Sequence, residues 1–182
     1  HWSALVTGLS IAPGPLMVPL VSFGLAGRLT ARFGPGAVIG AGSTIFAAGA
    51  VWWALAVGLQ PDYAGEMLGG MLLTGIGVGL TLPTLMATGT SVLPVHALAT
   101  GSAVVNMFRQ IGLAVGVAIL IAILGTPHSP LATLDVYRRA WEIVAALSLA
   151  GALLGTWLLT ATRAPTDAPA PAPKTSLAGD HR

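Results

Sequence analysis

Four long stretches of this chain carry no Asp, Glu, Lys or Arg: Trp2 to Gly27, Phe33 to Pro61, Met67 to Val95 and Ile143 to Thr162. A fifth, Ala97 to Pro127, carries one, Arg109. A bilayer hydrocarbon core about 30 Å thick is crossed by roughly 20 apolar residues at 1.5 Å rise each. Every stretch is long enough, and five such helices in succession cannot all be interior to a water-soluble fold. The pattern predicts an all-α integral membrane protein with five transmembrane helices, at about 4–26, 36–58, 67–90, 98–124 and 143–162, in one transmembrane unit spanning 1–163. A signal peptide does not fit the first stretch, whose apolar run is too long and has no basic segment before it.

Composition closes off the alternatives. Only 8% of the 182 residues are charged and 54% are apolar, whereas soluble domains carry about 25% charged residues. The net charge of +2 is too small for a phosphate-binding surface, so nucleic acid is excluded as a partner. With no cysteine there is no disulfide framework and no thiol nucleophile. The four histidines (His1, His96, His128, His181) lack metal-ligand spacing, so no metal is expected. Ser, His and Asp form no acyl-transfer pattern, and an enzyme is not expected. The segment 164–182, rich in Pro and Ala, reads as a disordered tail. Residue 1 is His rather than Met, and the chain is expected to be a fragment.

The fourth helix tests the partition, because it must carry Arg109 into lipid. Its twelve Val, Ile, Leu and Phe residues between Ala99 and Leu124 are together worth roughly −4 to −7 kcal/mol on an insertion scale, against about +2.5 to +3.5 kcal/mol for a central Arg. Insertion remains favourable or near neutral. Asn106, Arg109 and Gln110 stand at i, i+3 and i+4, forming one polar stripe on an apolar helix. Arg109 either faces the bundle interior in a structural or transport role or snorkels toward headgroups about 15 Å away.

Aromatic residues mark the helix ends. Trp2, Trp52, Trp53, Tyr63, Tyr137 and Trp141 fall on one side of the membrane, Phe33 and Trp157 on the other. Arg28, Arg32, Arg163, Lys174 and Arg182 lie on the second side, against Arg138 and Arg139 on the first. The positive-inside rule therefore puts the N-terminus outside and the C-terminus in the cytoplasm, although the inter-helix loops alone tie.

Three further patterns have a stated physics. Pro13, Gly14 and Pro15, with Pro19 beyond, interrupt the first helix. Each proline deletes an amide and clashes with the preceding turn. The break is either a packing kink or the kind of broken helix that lines a transporter binding site. Gly75 and Gly79, four apart, form a small-residue face for close helix packing, as do Gly112 and Gly116, Gly65 and Gly69, and Gly151 and Gly155. The run Gly75–Gly79 is no dinucleotide loop, since no strand precedes it and no acid follows before Asp135.

The segment Gly27-Arg28-Leu29-Thr30-Ala31-Arg32-Phe33-Gly34, expected as a short cytoplasmic loop, resembles the G-x-L-a-D-R-x-G signature of the major facilitator superfamily. It has Ala31 where that signature has aspartate, like the degenerate copy in the C-terminal half. Together with Thr7–Pro15, Gly75–Thr84 and Ala99–Gly112, the order of motifs is similar to that of fourteen-spanner multidrug proton antiporters. The resemblance covers Trp2 to about Arg163. It implies the last five of fourteen helices in the C-terminal half of the bundle, and export of hydrophobic or cationic small molecules by alternating access. It implies the proton gradient as energy source with no cofactor, and as partners the lipid bilayer, the missing N-terminal helices and a small-molecule substrate. The protein would be a multi-pass protein of the cell membrane. Coupling carboxylates would lie outside this chain. A selective metabolite exporter of the same fold, or a self-contained five-span scaffold or channel subunit, are the other readings.

Overall fold

The computed structural model describes residues 4–58, 63–91, 93–125 and 129–161, and contains only helices and short turns among them. The helices are α1 (Ala4–Ile11), α2 (Pro13–Val21), α3 (Gly27–Phe33), α4 (Pro35–Ala56), α5 (Gly69–Ser91), α6 (Leu98–Leu124) and α7 (Pro130–Ala161). A π-helical turn, Ser22–Ala26, joins α2 to α3, another, Tyr63–Leu68, leads into α5, and a 3₁₀ turn, Val95–Ala97, precedes α6. Five helical segments are long and apolar enough to cross a membrane: Gly8–Phe33, Pro35–Ala56, Tyr63–Ser91, Val95–Ile123 and Pro130–Leu159.

Three boundaries differ from expectation. The fifth span was expected to begin near residue 143, but its helix starts at Pro130 and runs 32 residues. Charge keeps Asp135, Arg138, Arg139 and Glu142 out of hydrocarbon, but it does not stop a helix, which continues past the lipid with its own hydrogen bonds intact. The third helical segment likewise starts at Tyr63 and takes in Glu66. The presumed loop 27–34 is itself mostly helix, so the chain reverses at a single residue. Gly34 has φ 83° and ψ 161°, a conformation open to glycine and costly for other residues. Its amide bonds to the Thr30 carbonyl at 2.9 Å, and Pro35 starts α4 at a position where no amide is needed. The expected tail 164–182 lies outside the described residues.

α5 is the centre of the packing. One face meets α2: a Cβ on Gly79 would stand 2.9 Å from the Val18 carbonyl oxygen, and one on Gly75 would collide with the Gly14 carbonyl. The other face meets α4, where a Cβ on Gly77 would stand 2.7 Å from both Gly42 O and Phe46 N. α4 also runs along α7, with Ala47, Ala50 and Ala145 buried between them against Trp141 and Val144. Near Gly34, Ala26, Val38 and Leu80 form a second buried cluster with Leu29. α6 touches α5 and α7 only lightly, and no described residue of it is buried.

Helix interruptions are closed by side chains from elsewhere. Pro83 has no amide for the carbonyl of Gly79, four residues back, and the Ser22 hydroxyl donates to that carbonyl at 3.0 Å from the first π turn. Arg138 Nη2 donates to Val57 O, at the C-terminal end of α4, at 3.1 Å. The Tyr63 hydroxyl donates to Ser10 O beside the break at Ala12. Ser22→Ala should therefore destabilise the purified full-length protein by about 1–2 kcal/mol in a detergent unfolding titration. The same change in a Pro83→Ala background, where residue 83 regains its amide, should cost far less. Equal costs in the two backgrounds would show that Ser22 is not closing the proline gap.

Candidate functional site

The proline break lines an apolar cavity. Pro13 cannot donate to Leu9 O, and Ala12 N takes that carbonyl over at 3.3 Å. Ala12 keeps right-handed helical torsions (φ −55°, ψ −36°), so the interruption is one residue long and the chain does not unwind. Beyond it, Gly14 and Pro15 form part of one wall of an open cavity of about 490 Å³ bordered by Ile11 of α1 and by α2, α4, α5 and α7. Pro13 itself is not among the lining residues.

The opposite walls are Phe46 and Trp53 of α4, Met71, Thr74 and Val78 of α5, and Trp141 of α7. The rings of Trp53 and Trp141 are 4.5 Å apart and inclined at 53°, within the range of favourable aromatic pairs. Trp53 Nε1 donates to Met67 O at 3.2 Å, which fixes the ring and leaves its face to the cavity. The one hydroxyl here, on Thr74, is turned back onto Gly70 O at 2.8 Å. No charged side chain among the described residues lines the cavity. Such a site takes up apolar and aromatic bodies by area and stacking, and its indole faces also accept a cation.

Sequence reasoning placed Trp53 and Trp141 in an interfacial belt, but both line this cavity. The available signal was the pair Trp52-Trp53. Adjacent helical positions point about 100° apart, so two neighbouring tryptophans cannot both face lipid squarely. Trp52 is the exposed one.

The other expected residues are dispersed. Arg109 Nε donates to Asn106 Oδ1 at 3.3 Å on the exposed face of α6, and Gln110 shares that exposure. Arg109 borders a separate cavity of about 420 Å³ with Phe108 and, from α5, Leu82, Leu85, Met86 and Gly89. Among the described residues α6 is met by α5 and α7, and the face that carries Arg109 is exposed. Gly112 and Gly116 stand on the same open side of α6, where a Cβ on either would meet no described atom within 4 Å. Gly151 also faces open space, whereas Gly155 packs near Ile39 and Gly69 against Trp52. In the loop signature, Arg28 Nη1 bonds to Gly24 O at 3.1 Å, and the Arg32 guanidinium sits 5.4 Å from the centre of the Phe33 ring. Leu29 packs on the Ala26, Val38 and Leu80 cluster, and a Cβ on Gly27 would be unobstructed.

Comparison with known proteins gives this architecture a family context. The family model described as Major Facilitator Superfamily matches residues 1–180. The chain is 32% identical over 178 residues to puromycin resistance protein pur8 of Streptomyces alboniger, covering 90% of the chain and 33% of that protein. It is 35% identical over 158 residues to cephamycin export protein CmcT of Amycolatopsis lactamdurans, covering 84% and 32%. A multidrug resistance protein B homolog of Mycobacterium tuberculosis is 28% identical over 124 residues, 68% of the chain and 23% of that protein. The chain thus spans 23% to 33% of the length of these relatives. No solved structure matches the chain with significance.

A spectroscopic experiment tests the cavity. An apolar aromatic compound added to the purified full-length protein should perturb tryptophan fluorescence, and Trp53→Phe with Trp141→Phe should abolish that change. Trp157→Phe, at an exposed position on α7, should preserve it. A response that follows Trp157 instead would place uptake at the lipid-facing surface.

Proposed function

The chain belongs to the major facilitator superfamily, and from that premise we propose that it is the C-terminal part of a proton-coupled exporter of drugs or other hydrophobic and cationic small molecules. The observation that carries this reading is the aromatic cavity of about 490 Å³ beside the Pro-Gly-Pro break. The proline interruption keeps helical torsions at Ala12, so the apolar cavity beside it, rather than an unwound helix, supports the reading. Two relatives named for export or resistance, to cephamycin and to puromycin, support the substrate class. Their names also admit the narrower alternative of an exporter dedicated to one metabolite.

In this reading the protein belongs to the fourteen-span type and supplies its last five helices, seated in the cell membrane with the C-terminus in the cytoplasm. Arg28 and Arg32 at the Gly34 turn, with Arg163, Lys174 and Arg182, support that orientation. Helices from the rest of the polypeptide cover α6 and enclose the stripe of Asn106, Arg109 and Gln110. The carboxylates that carry protons also come from those helices, and no cofactor is needed beyond the gradient. Substrate and proton then move in opposite directions as the two halves rock about the cargo.

The test uses the complete protein in cells loaded with a fluorescent apolar cation. Trp53→Ala and Trp141→Ala should each cut the initial export rate by about three- to tenfold, the loss of one stacked contact of roughly 0.5–1.5 kcal/mol. A protonophore should abolish export by the unaltered protein. Export unaffected by the protonophore would overturn the coupling, and full activity of both tryptophan variants would remove the cavity from the substrate path. Arg109→Ala should reduce export while leaving the amount of protein in the membrane unchanged, and undiminished export by that variant would make the stripe a bystander.

A further inference from the structure

Directly behind the aromatic cavity, across Phe46 and Val78, lies a second and more polar one of about 240 Å³. Hydroxyl-bearing residues of three helices line it: Ser43 from α4, Thr81 from α5 and Ser148 from α7. Thr81 is the odd member of its helix. Thr74, Thr84, Thr88 and Thr90 each donate to the carbonyl four residues back, at 2.7 to 3.0 Å. The Thr81 hydroxyl instead points at the bare Cα of Gly42, is buried, and has no hydrogen-bond partner among the described residues. Ser148 donates to Val144 O at 2.8 Å and keeps its own oxygen free to accept.

A buried hydroxyl without a partner costs about 1–3 kcal/mol, and the cost is higher where no water is at hand. Back-bonding to its own helix would remove that cost, as it does for the four other threonines. The volume is ample for several waters at about 30 Å³ each, or for a small functional group.

We infer that the Ser43, Thr81 and Ser148 niche is a hydrogen-bonding subsite. It receives a neutral polar group, such as an amide or hydroxyl, carried on the arm of a compound whose aromatic body occupies the neighbouring cavity. The inference rests on the proposed export of such compounds and adds a selection rule to it. Phe46 and Val78 form the partition between body and arm, Thr81 supplies the donor once its hydroxyl turns about χ1 from Gly42 into the niche, and Ser148 supplies the acceptor. Without charged groups in the lining, the niche discriminates against ionised arms, which would arrive unpaired.

The experiment compares binding of 1-naphthalenepropanamide and 1-butylnaphthalene to the purified full-length protein, followed by tryptophan fluorescence. The two share the aromatic body and differ in the polar end of the arm. The unaltered protein should bind the amide more tightly. Thr81→Val should weaken the amide by about tenfold, the scale of one buried hydrogen bond, and leave the butyl compound unchanged. Thr81→Ser should retain amide binding, and Thr81→Val should melt no lower than the unaltered protein, which separates recognition from misfolding. Equal effects on both ligands, no effect on either, a lower melting point for Thr81→Val, or failure of the amide to bind would each overturn the subsite. If binding follows the expected pattern but cells export neither compound, the subsite stands and the export reading falls.

Discussion

Without water, a peptide group has only the protein to bond to, and the fold is organised around that demand. Most of the backbone meets it by remaining helical, but Pro13, Pro15, Pro19 and Pro83 delete donors inside two of the spanning segments. At Pro83 the repair is made across helices, and at Pro13 it is made along the chain by Ala12 N. Two further side chains close carbonyls beside a break or at a helix end. Ser22 closes the gap at Gly79, Tyr63 reaches Ser10, and Arg138 closes the end of α4 at Val57. Each repair also fixes the height of one helix against another, because a hydroxyl bond at 3.0 Å tolerates little sliding. The aromatic cavity inherits its shape from these fixed heights.

Packing completes what the hydrogen bonds begin. Lipid tails are as apolar as leucine, so helix association depends on close surface fit, and α5 obtains it with Gly75 and Gly79 toward α2 and Gly77 toward α4. Where glycines meet backbone, the helices nearly touch. Where Phe46, Trp53, Met71 and Trp141 stand between them, the helices are propped apart and a space opens. Close contact and cavity adjoin, since Gly14 and Gly75, where α2 and α5 approach, also line the aromatic cavity.

Much of this was readable from the residues, for reasons that also explain the failures. Charge-free length located the five spanning helices, because burial in lipid is a demand on composition alone. The spacing of Gly75 and Gly79 identified a packing face, and the prolines located a break. Helix ends were missed where charge was taken for a boundary, as at Pro130 and Tyr63. Lipid solubility and helix formation are different requirements, and Asp135 satisfies only the second. The inward turn of Trp53 and Trp141, and the orientation of the Thr81 hydroxyl toward Gly42, depend on which helices become neighbours, which spacing within one helix does not encode. Gly112, Gly116 and Arg109 lie on α6, whose outer face finds no counterpart among the described residues.

The bond between Ser22 and Gly79 also has a direction in time. A ribosome delivers residue 22 to the membrane before residue 79, so the donor is in place before the acceptor that needs it emerges. α5, crowded with glycine and short of one amide at Pro83, is a poor helix to leave alone in lipid, and its missing bond is supplied only when it lies against the first spanning segment. The chain thus carries, in one serine and one proline 61 residues apart, a cue for which helix the newcomer should join.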